Sequence, residues 1–337
     1  MFLTHDTVRQ IDGLADALGV LSIYVGSRAP GERPLLAQAV RLGDRLHALG
    51  HLREDPSTPE RRAALAAALE RLRPRLTRLV TRPGGRGRAL FARLSGGEVW
   101  EVETAMPLPT TAVLEPTGYV RPLVAALDEG RPAGIVLAGR RRLRLLDWRM
   151  GRLAAVEDVG AGPTADASAR VAEAARRQGW RRLVVDGEPR LAGGLLAADP
   201  PLRGCHIAIA SRPLGALGAP LLEHGVVAEL EAVQRRMEVA LVNEAVEASR
   251  RGGEAVLGME GAARALADGR LSHLLFDNDR DRLAWPGERL VEAGLPIDPA
   301  ERLIELALDS AAGITPVEGR AARALDNTDG VAALLRW

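Results

Sequence analysis

Residues 118–137 read GYVRPLVAALDEGRPAGIVL, and they decide the fold class. Val120–Asp128 is expected as a helix and Gly134–Leu137 as the strand that follows it. Arg142–Trp148 and Arg152–Val156 extend that strand into a meander. A helix over Asp166–Gln178 comes next, then buried strands at Leu183–Val185 and His206–Ala210, with Leu195–Ala198 helical between them. One long helix from about Pro220 to Arg250 closes the segment. Helices and strands interleaved in this way make an α/β layer protein.

The pattern continues on both sides. Towards the N-terminus, Val20–Gly26 is an apolar strand, and Pro34–Leu49 and Pro59–Leu79 are helices, the second with Ser57, Thr58 and Glu60 as start chemistry. Arg88–Arg93 and Glu98–Val102 form a hairpin around Ser95-Gly96-Gly97. Towards the C-terminus, a helix Val256–Ala267 stopped by Gly269, a strand Leu271–Phe276, a helix Pro299–Ala311 stopped by Gly313 and a strand Ile314–Val317 make a small α/β/α body. The Pro-rich stretch Pro107–Pro116 and the end of the long helix near Gly252 are candidate linkers. They divide the chain into three expected domains, 1–115, 116–240 and 241–337.

The 337 residues carry 45 Lys+Arg, every one an arginine, against 44 Asp+Glu. Codon bias accounts for the choice of arginine, and the absence of lysine has chemical consequences. A Walker-A phosphate loop, a Schiff-base or pyridoxal-phosphate enzyme and a protein kinase all need a lysine, so all three are excluded. The near-zero net charge is a sum of unequal parts. Residues 1–115 hold 16 Arg and 13 acids, residues 116–240 hold 18 and 14, and residues 241–337 hold 11 and 17. A basic front and an acidic tail fit domains that face different partners. Aromatic residues are 3% of the chain, so a nucleic acid would be met through its phosphates rather than by base stacking. One cysteine, Cys205, excludes a disulfide framework and fits a cytoplasmic setting. No leader-like or membrane-spanning segment is evident in the sequence, and neither membrane nor DNA is expected as a partner.

Two arginine runs are the candidate binding residues. Arg71, Arg73, Arg75, Arg78, Arg82, Arg86, Arg88 and Arg93 lie between Glu70 and Glu98 with no acid among them, around the glycine-rich Pro83–Gly87. Guanidinium forks match phosphate oxygens, so RNA is a fitting partner; a solvated helix face packing its arginine stems accounts for the run equally well. In the second run, Arg140, Arg141, Arg142 and Arg144 with Arg149 and Arg152 close behind, three sit at what should be a tight turn between two strands, where they project into solvent as phosphate contacts or as a solubilising edge.

Catalytic constellations are weak. The six histidines lack metal-ligand spacing, and His47 and His51, one turn apart, have no acidic or thiol company. Cys205 and His206 are strand neighbours and point to opposite faces, so the thiol is expected to be buried rather than paired. Asp277-Asn278-Asp279-Arg280-Asp281 opens like a calcium loop, yet its glycine and closing glutamate are misplaced. No catalytic residue, cofactor or metal is assigned.

The order of the segments and several local signatures resemble the archaeo-eukaryotic peptide-release-factor and Pelota superfamily through its bacterial relatives. The resemblance rests on Gly118–Leu123 and Asp128–Leu137, and more specifically on Glu254–Glu260, Ala267–Arg270, Leu274–Phe276 and the ending Asp329–Trp337. It implies a ribonuclease-H-like middle domain and a small α/β/α C-terminal domain. A release factor of this superfamily hydrolyses peptidyl-tRNA with a Gly-Gly-Gln on a long middle-domain loop. The four glutamines here, Gln10, Gln38, Gln178 and Gln234, follow no Gly-Gly, and the loop is the short Gly160-Ala161-Gly162-Pro163-Thr164. The resemblance therefore implies a Pelota-like or Balon-like factor of the hibernation or rescue type, which binds ribosomal RNA at the A site without hydrolysis. It also implies a translational GTPase as a partner of the acidic C-terminal domain. A peptidyl-tRNA hydrolase with a divergent loop, using Thr164 or Asp166, is the alternative.

Overall fold

A computed structural model describes residues 1–26, 34–50, 59–81, 87–139, 142–160, 164–187, 190, 193–194, 205–280, 291–292 and 295–337. The elements run α1 (His5–Asp12), β1 (Ala15–Gly26), α2 (Pro34–Gly50), α3 (Pro59–Thr81), β2 (Gly87–Arg93), β3 (Val99–Thr104), β4 (Thr111–Thr117) and α4 (Arg121–Glu129). They continue with β5 (Ala133–Ala138), β6 (Arg142–Arg149), β7 (Arg152–Gly160), α5 (Thr164–Gln178), β8 (Arg182–Asp186), β9 (His206–Ile209) and α6 (Ala219–Arg250). The last are β10 (Ala255–Leu257), α7 (Met259–Ala267), β11 (Leu271–Asp277), β12 (Val291–Glu292), β13 (Leu295–Pro296), α8 (Pro299–Asp309), β14 (Gly313–Val317), α9 (Arg320–Arg323) and β15 (Val331–Leu335). The expected Leu195–Ala198 helix lies outside the described residues. Among the described residues the fold is mixed α/β, with two four-stranded sheets, one five-stranded sheet and the two-stranded pair β12-β13.

Contacts gather the chain into two compact units, residues 1–128 with 242–337 and residues 129–241. The expected limit at 240/241 falls one residue from a limit between units. The limit at 115/116 falls inside β4, and the expected linker Pro107–Pro116 is in part this strand. Prolines suggested a linker, but β4 is an edge strand of the antiparallel order β3-β2-β1-β4, where a residue without an N–H is tolerated. Pro116 falls between the paired residues Glu115 and Thr117, where the register shifts.

In the larger unit, the apolar run Val20–Val25 is buried on both faces because β1 is central. On one face α3 packs Leu65, Ala68, Leu72 and Leu79 against Leu21, Ile23, Leu90 and Ala92. Each leucine buried there contributes roughly 1.5–3 kcal/mol. On the other face Tyr24 meets Phe91 and Tyr119 edge-on. The tyrosine hydroxyl donates to the Tyr119 carbonyl, and Ser22 Oγ accepts from the Tyr119 N–H at 3.1 Å. The second sheet of this unit has the order β10-β15-β11-β14, with β11 and β14 parallel. The expected helix from Val256 starts later. Val256 lies in β10, Gly258 turns the chain at φ +84°, and α7 begins at Met259. β15 was legible only as a family-like ending; it pairs with both β10 and β11.

The first sheet and α8 share a buried polar seam built around Gly118–Arg121. A Cβ at Gly118 would lie 2.2 Å from the Ile11 carbonyl, so the seam admits only glycine there. Glu301 accepts the backbone N–H groups of Val120 and, at 3.0 Å, Arg121. Arg121, 4% exposed, donates to Asp298 at 2.9 Å and to the carbonyls of Asp277 and Arg280 at 2.8 and 3.0 Å. Thr117 donates to Glu305 at 2.6 Å, and Glu115 accepts the Asp298 N–H at 3.2 Å.

The smaller unit has the sheet order β7-β6-β5-β8-β9, antiparallel through β7-β6-β5 and parallel from β5 to β9. α5 covers one face with Val171, Ala172, Ala174 and Ala175 on Val136, Leu145, Leu183 and Val185. Trp180 lies over Gly134, where any Cβ would meet its ring at 2.2 Å, and its Nε1 donates to Asp147 at 2.7 Å. Arg182 is buried at the start of β8, donating to Gln234 of α6 and to the Glu129 and Arg131 carbonyls.

Candidate nucleic-acid interface

The first arginine run spreads along α3 and into β2. Leu72 and Leu79 turn inward at helical spacing, which leaves Arg71, Arg73, Arg75 and Arg78 exposed. Three of these four are engaged. Arg71 donates to the Gly96 carbonyl at 2.8 Å, Arg73 pairs with Glu70, and Arg75 reaches Glu101 of β3 at 2.6 Å. Arg93 pairs with Glu98 at 3.4 Å and stands over the Trp100 ring at 5.5 Å. The run therefore meets acids from outside its own stretch, which its sequence isolation concealed. One expectation needs correction. Arg88 is 8% exposed and donates to the Leu79 carbonyl at 3.0 Å, so it caps α3 inside the fold and is not a surface contact. Its place on β2, a strand flanked on both sides, explains the inward course. Arg82 and Arg86 lie outside the described residues.

The second run is also partly self-neutralised. Arg142 donates through Nε and Nη2 to both oxygens of Asp158 on β7, at 2.5 and 2.6 Å, and Arg144 stands 3.8 Å from the same carboxylate. Hydrogen bonding to Arg142 holds the Asp158 carboxyl below its usual range and raises the guanidinium in turn. The expectation that these arginines favour solvent over internal pairing is corrected by that bidentate contact. Arg149 pairs with Asp147 at 3.4 Å and donates to the Gln178 carbonyl at 2.7 Å, so it caps the end of α5. Arg140 and Arg141 lie outside the described residues.

Between β7 and α5 the connection is residues 161–163 alone. Gly160 ends the strand with open space around it and Thr164 begins the helix, so Gly160 and Thr164 bracket a short loop. Gly162 and Pro163 lie outside the described residues, as do His51 and the His47 side chain. Cys205 is half-buried, its thiol pushed up to about 11 by burial against the opposing effect of Arg181, and it is inert as a nucleophile at neutral pH. Among the described residues, no group of three His, Cys, Asp or Glu side chains is arranged to hold a metal ion.

Residues 119–170 match the model of bacterial archaeo-eukaryotic release factor family 10. The chain is thus similar to bacterial relatives of the release-factor and Pelota superfamily, as the residues quoted above imply. The match opens on Tyr119 and Arg121 of the buried seam and ends on Arg170 of α5, spanning the β5-β6-β7 meander. No curated protein matches. Among solved structures, Archaeoglobus fulgidus Pelota is similar at 13% identity over 74% of this chain and 79% of that one, with a TM-score of 0.37. S. cerevisiae Dom34, a termination-like factor that interacts with Hbs1, is similar at 12% identity over 77% and 76%, with a TM-score of 0.43. An archaeal Pelota from a ribosome-bound assembly with ABCE1 is similar at 12% over 99% and 94%, also at 0.43. At TM-scores this low the likeness carries no argument.

Sequence reasoning assigned Arg121 no role beyond its part in the resemblance. Its partner Asp298 is 177 positions away, so no local pattern marks the pair. The one signal was the Gly118–Pro122 string itself.

Proposed function

We propose that the chain is a ribosome-binding translation factor of release-factor type, acting in hibernation or rescue, that occupies the A-site region without hydrolysing peptidyl-tRNA. The observation that carries this reading is the family match over residues 119–170 together with a β7–α5 connection of three residues and no glutamine after Gly-Gly anywhere in the sequence. Hydrolysis in that family's manner needs a loop long enough to bring a glutamine to the ester, and this connection lacks both the reach and the residue. We read residues 116–240 as the ribonuclease-H-like domain and residues 241–337 as the acidic domain that meets a translational GTPase. The exposed arginines of α3 and of the β6–β7 end supply phosphate contacts.

Co-sedimentation of the full chain with bacterial ribosomes tests the reading. Binding is expected at low salt; with about six phosphate contacts at ~0.7 each, the slope of log affinity against log salt is about −4. The triple change Arg140→Glu, Arg141→Glu, Arg142→Glu is expected to weaken binding. Absence of ribosome binding at low salt, or peptidyl-tRNA turnover on stalled ribosomes that Thr164→Ala abolishes, overturns the proposal.

A further inference from the structure

The end of the smaller unit's sheet opposite the 160–164 loop is edged with arginine. Sheet pairing places Arg149 directly across from Arg152, and Ala133 beside both Trp148 and Arg182. The Arg181 N–H donates to the Pro132 carbonyl at 3.3 Å, the Met150 N–H to the Gly130 carbonyl at 2.9 Å, and Arg149 to Gln178 at the end of α5. The starts of β5, β7 and β8, the end of β6 and the end of α5 therefore meet at one rim. Arg131, Arg149, Arg152, Arg176, Arg177 and Arg181 are all exposed on it. At about 4.8 Å between strands, these four strands carry the rim across roughly 14 Å.

Part of the rim has an internal explanation. The carboxyl end of α5 carries partial negative charge that favours Arg176 and Arg177 in its last turn, and Arg149 caps that end. The carboxylates nearest in sequence are committed as well. Asp147 takes Trp180 and Arg149, Glu173 takes Arg176, and Glu129 takes Arg235. Arg152 and Arg181 lie outside the helix and, like Arg177, have no carboxylate partner among the described residues. Three exposed guanidiniums without a carboxylate partner leave this rim positively charged and open to an anion.

We propose that this rim, with Arg152 on its edge strand and Arg177 and Arg181 farther along it, is a docking surface for the phosphate backbone of folded RNA. Within the smaller unit it is a contact face separate from the Arg142–Arg144 end, which lies at the other end of the β6–β7 hairpin. That the RNA is ribosomal rests on the function proposed above. The rim brings together strand ends and the end of α5, and guanidinium forks take phosphate oxygens two at a time.

The test compares the full chain with the triple variant Arg152→Glu, Arg177→Glu, Arg181→Glu on two probes, intact ribosomes and deproteinised ribosomal RNA, over a range of salt. The three side chains have no carboxylate to lose among the described residues, and only Arg177 gives up a favourable helix end, so the thermal midpoint is expected to fall by no more than a few degrees, which separates binding from folding. The expected result is at least a tenfold loss on both probes and a salt slope shallower by about 2, three contacts at ~0.7. A wild-type chain that binds ribosomes while the triple variant binds equally well sinks the rim and leaves the proposed function standing. A wild-type chain that ignores ribosomes but binds naked RNA through these three residues does the reverse. Loss on ribosomes alone, with naked RNA binding intact, means the partner is a protein and overturns the proposal; no binding to either probe overturns both.

Discussion

Arg121 of the larger unit and the rim arginines of the smaller one show two uses of the same side chain. Arg121 is stripped of water and its fork is answered on both sides: Asp298 on one nitrogen, two main-chain carbonyls on the other, and the Phe276 ring 5.4 Å from its central carbon. Arg152, Arg177 and Arg181 keep their water and meet no carboxylate among the described residues. Desolvating a guanidinium costs several kcal/mol, and only a filled donor set offsets that cost. Burial with partners therefore marks an arginine that holds the fold together, and exposure without them marks one free to meet an outside anion. Counting arginines by segment cannot separate the two, since 16 of the first 115 residues are arginine and Arg88 among them faces inward.

The widest gap between the two classes is expected in stability. Arg121→Met leaves Asp298 buried with a hydrogen bond from the Tyr119 hydroxyl at 3.3 Å but without its cation. Breaking a buried pair in this way costs about 3–5 kcal/mol. Arg152→Met changes an exposed residue and is expected to stay within about 0.5 kcal/mol. Urea midpoints of the two variants check this, and a loss from Arg121→Met no larger than that from Arg152→Met would erase the distinction.

A smaller effect concerns the acids that outnumber Arg121 in the seam. Glu301 is fully buried, and that burial, reinforced by Glu115, Asp298 and Glu305, pushes its carboxyl well above the usual range against the backbone hydrogen bond from Val120. At the edge of the seam, burial pushes Asp12 up to about 7, with Glu305 and Asp309 adding to the rise and Arg302 opposing it. A carboxyl whose pKa is raised by folding binds its proton more tightly in the folded chain. Its contribution is full below the unfolded value of 3.8 and is lost as pH climbs through about 7. Stability of the wild-type chain relative to Asp12→Asn is therefore expected to fall across that window, read from denaturant midpoints at successive pH values. A wild-type advantage that grows with pH means the sign is wrong. Rim arginines have no part in this, and their replacement is expected to leave the pH profile in place.

How much of this was readable beforehand divides along the same line. Local pattern sufficed for β1, α3, the β2–β3 hairpin, the β5–β6–β7 meander and α6, because each carries its own periodicity or turn chemistry. It misjudged β4, whose prolines imitate a linker while Glu115 goes into the seam, and it ran α7 through Gly258, whose positive φ ends β10. The seam itself was illegible beyond the Gly118–Pro122 string, because Glu301 and Arg121 are 180 positions apart and no local pattern joins them. Both arginine runs were visible as runs, yet their partners were not. Glu101 reaches Arg75 across 26 positions and Asp158 reaches Arg142 across a strand pair, so apparent isolation in sequence overstated their freedom. The rim was half hidden: Arg149 and Arg152 were read together with the turn arginines, which lie at the other end of the hairpin, and only sheet order collects them with Arg131, Arg176, Arg177 and Arg181.

Arg142 falls between the two classes, which makes it the finest test of the comparison. It is exposed like the rim arginines, yet Asp158 occupies its fork as Asp298 occupies that of Arg121. An exposed pair of this kind gains little from its attraction, because water screens the charges and two side chains lose freedom to hold one geometry. Asp158→Asn is therefore expected to leave the denaturant midpoint unchanged, while releasing Arg142 and Arg144 for phosphate. Ribosome affinity at low salt is expected to rise a few-fold, with the salt slope steeper by about 0.7 for each phosphate newly neutralised. Unchanged affinity and slope would remove Arg142 and Arg144 from the RNA surface and leave the α3 run and the rim to carry it. A clear loss of stability instead would show that burial is not what decides whether an arginine pair is structural, and the division drawn from Arg121 would fail with it.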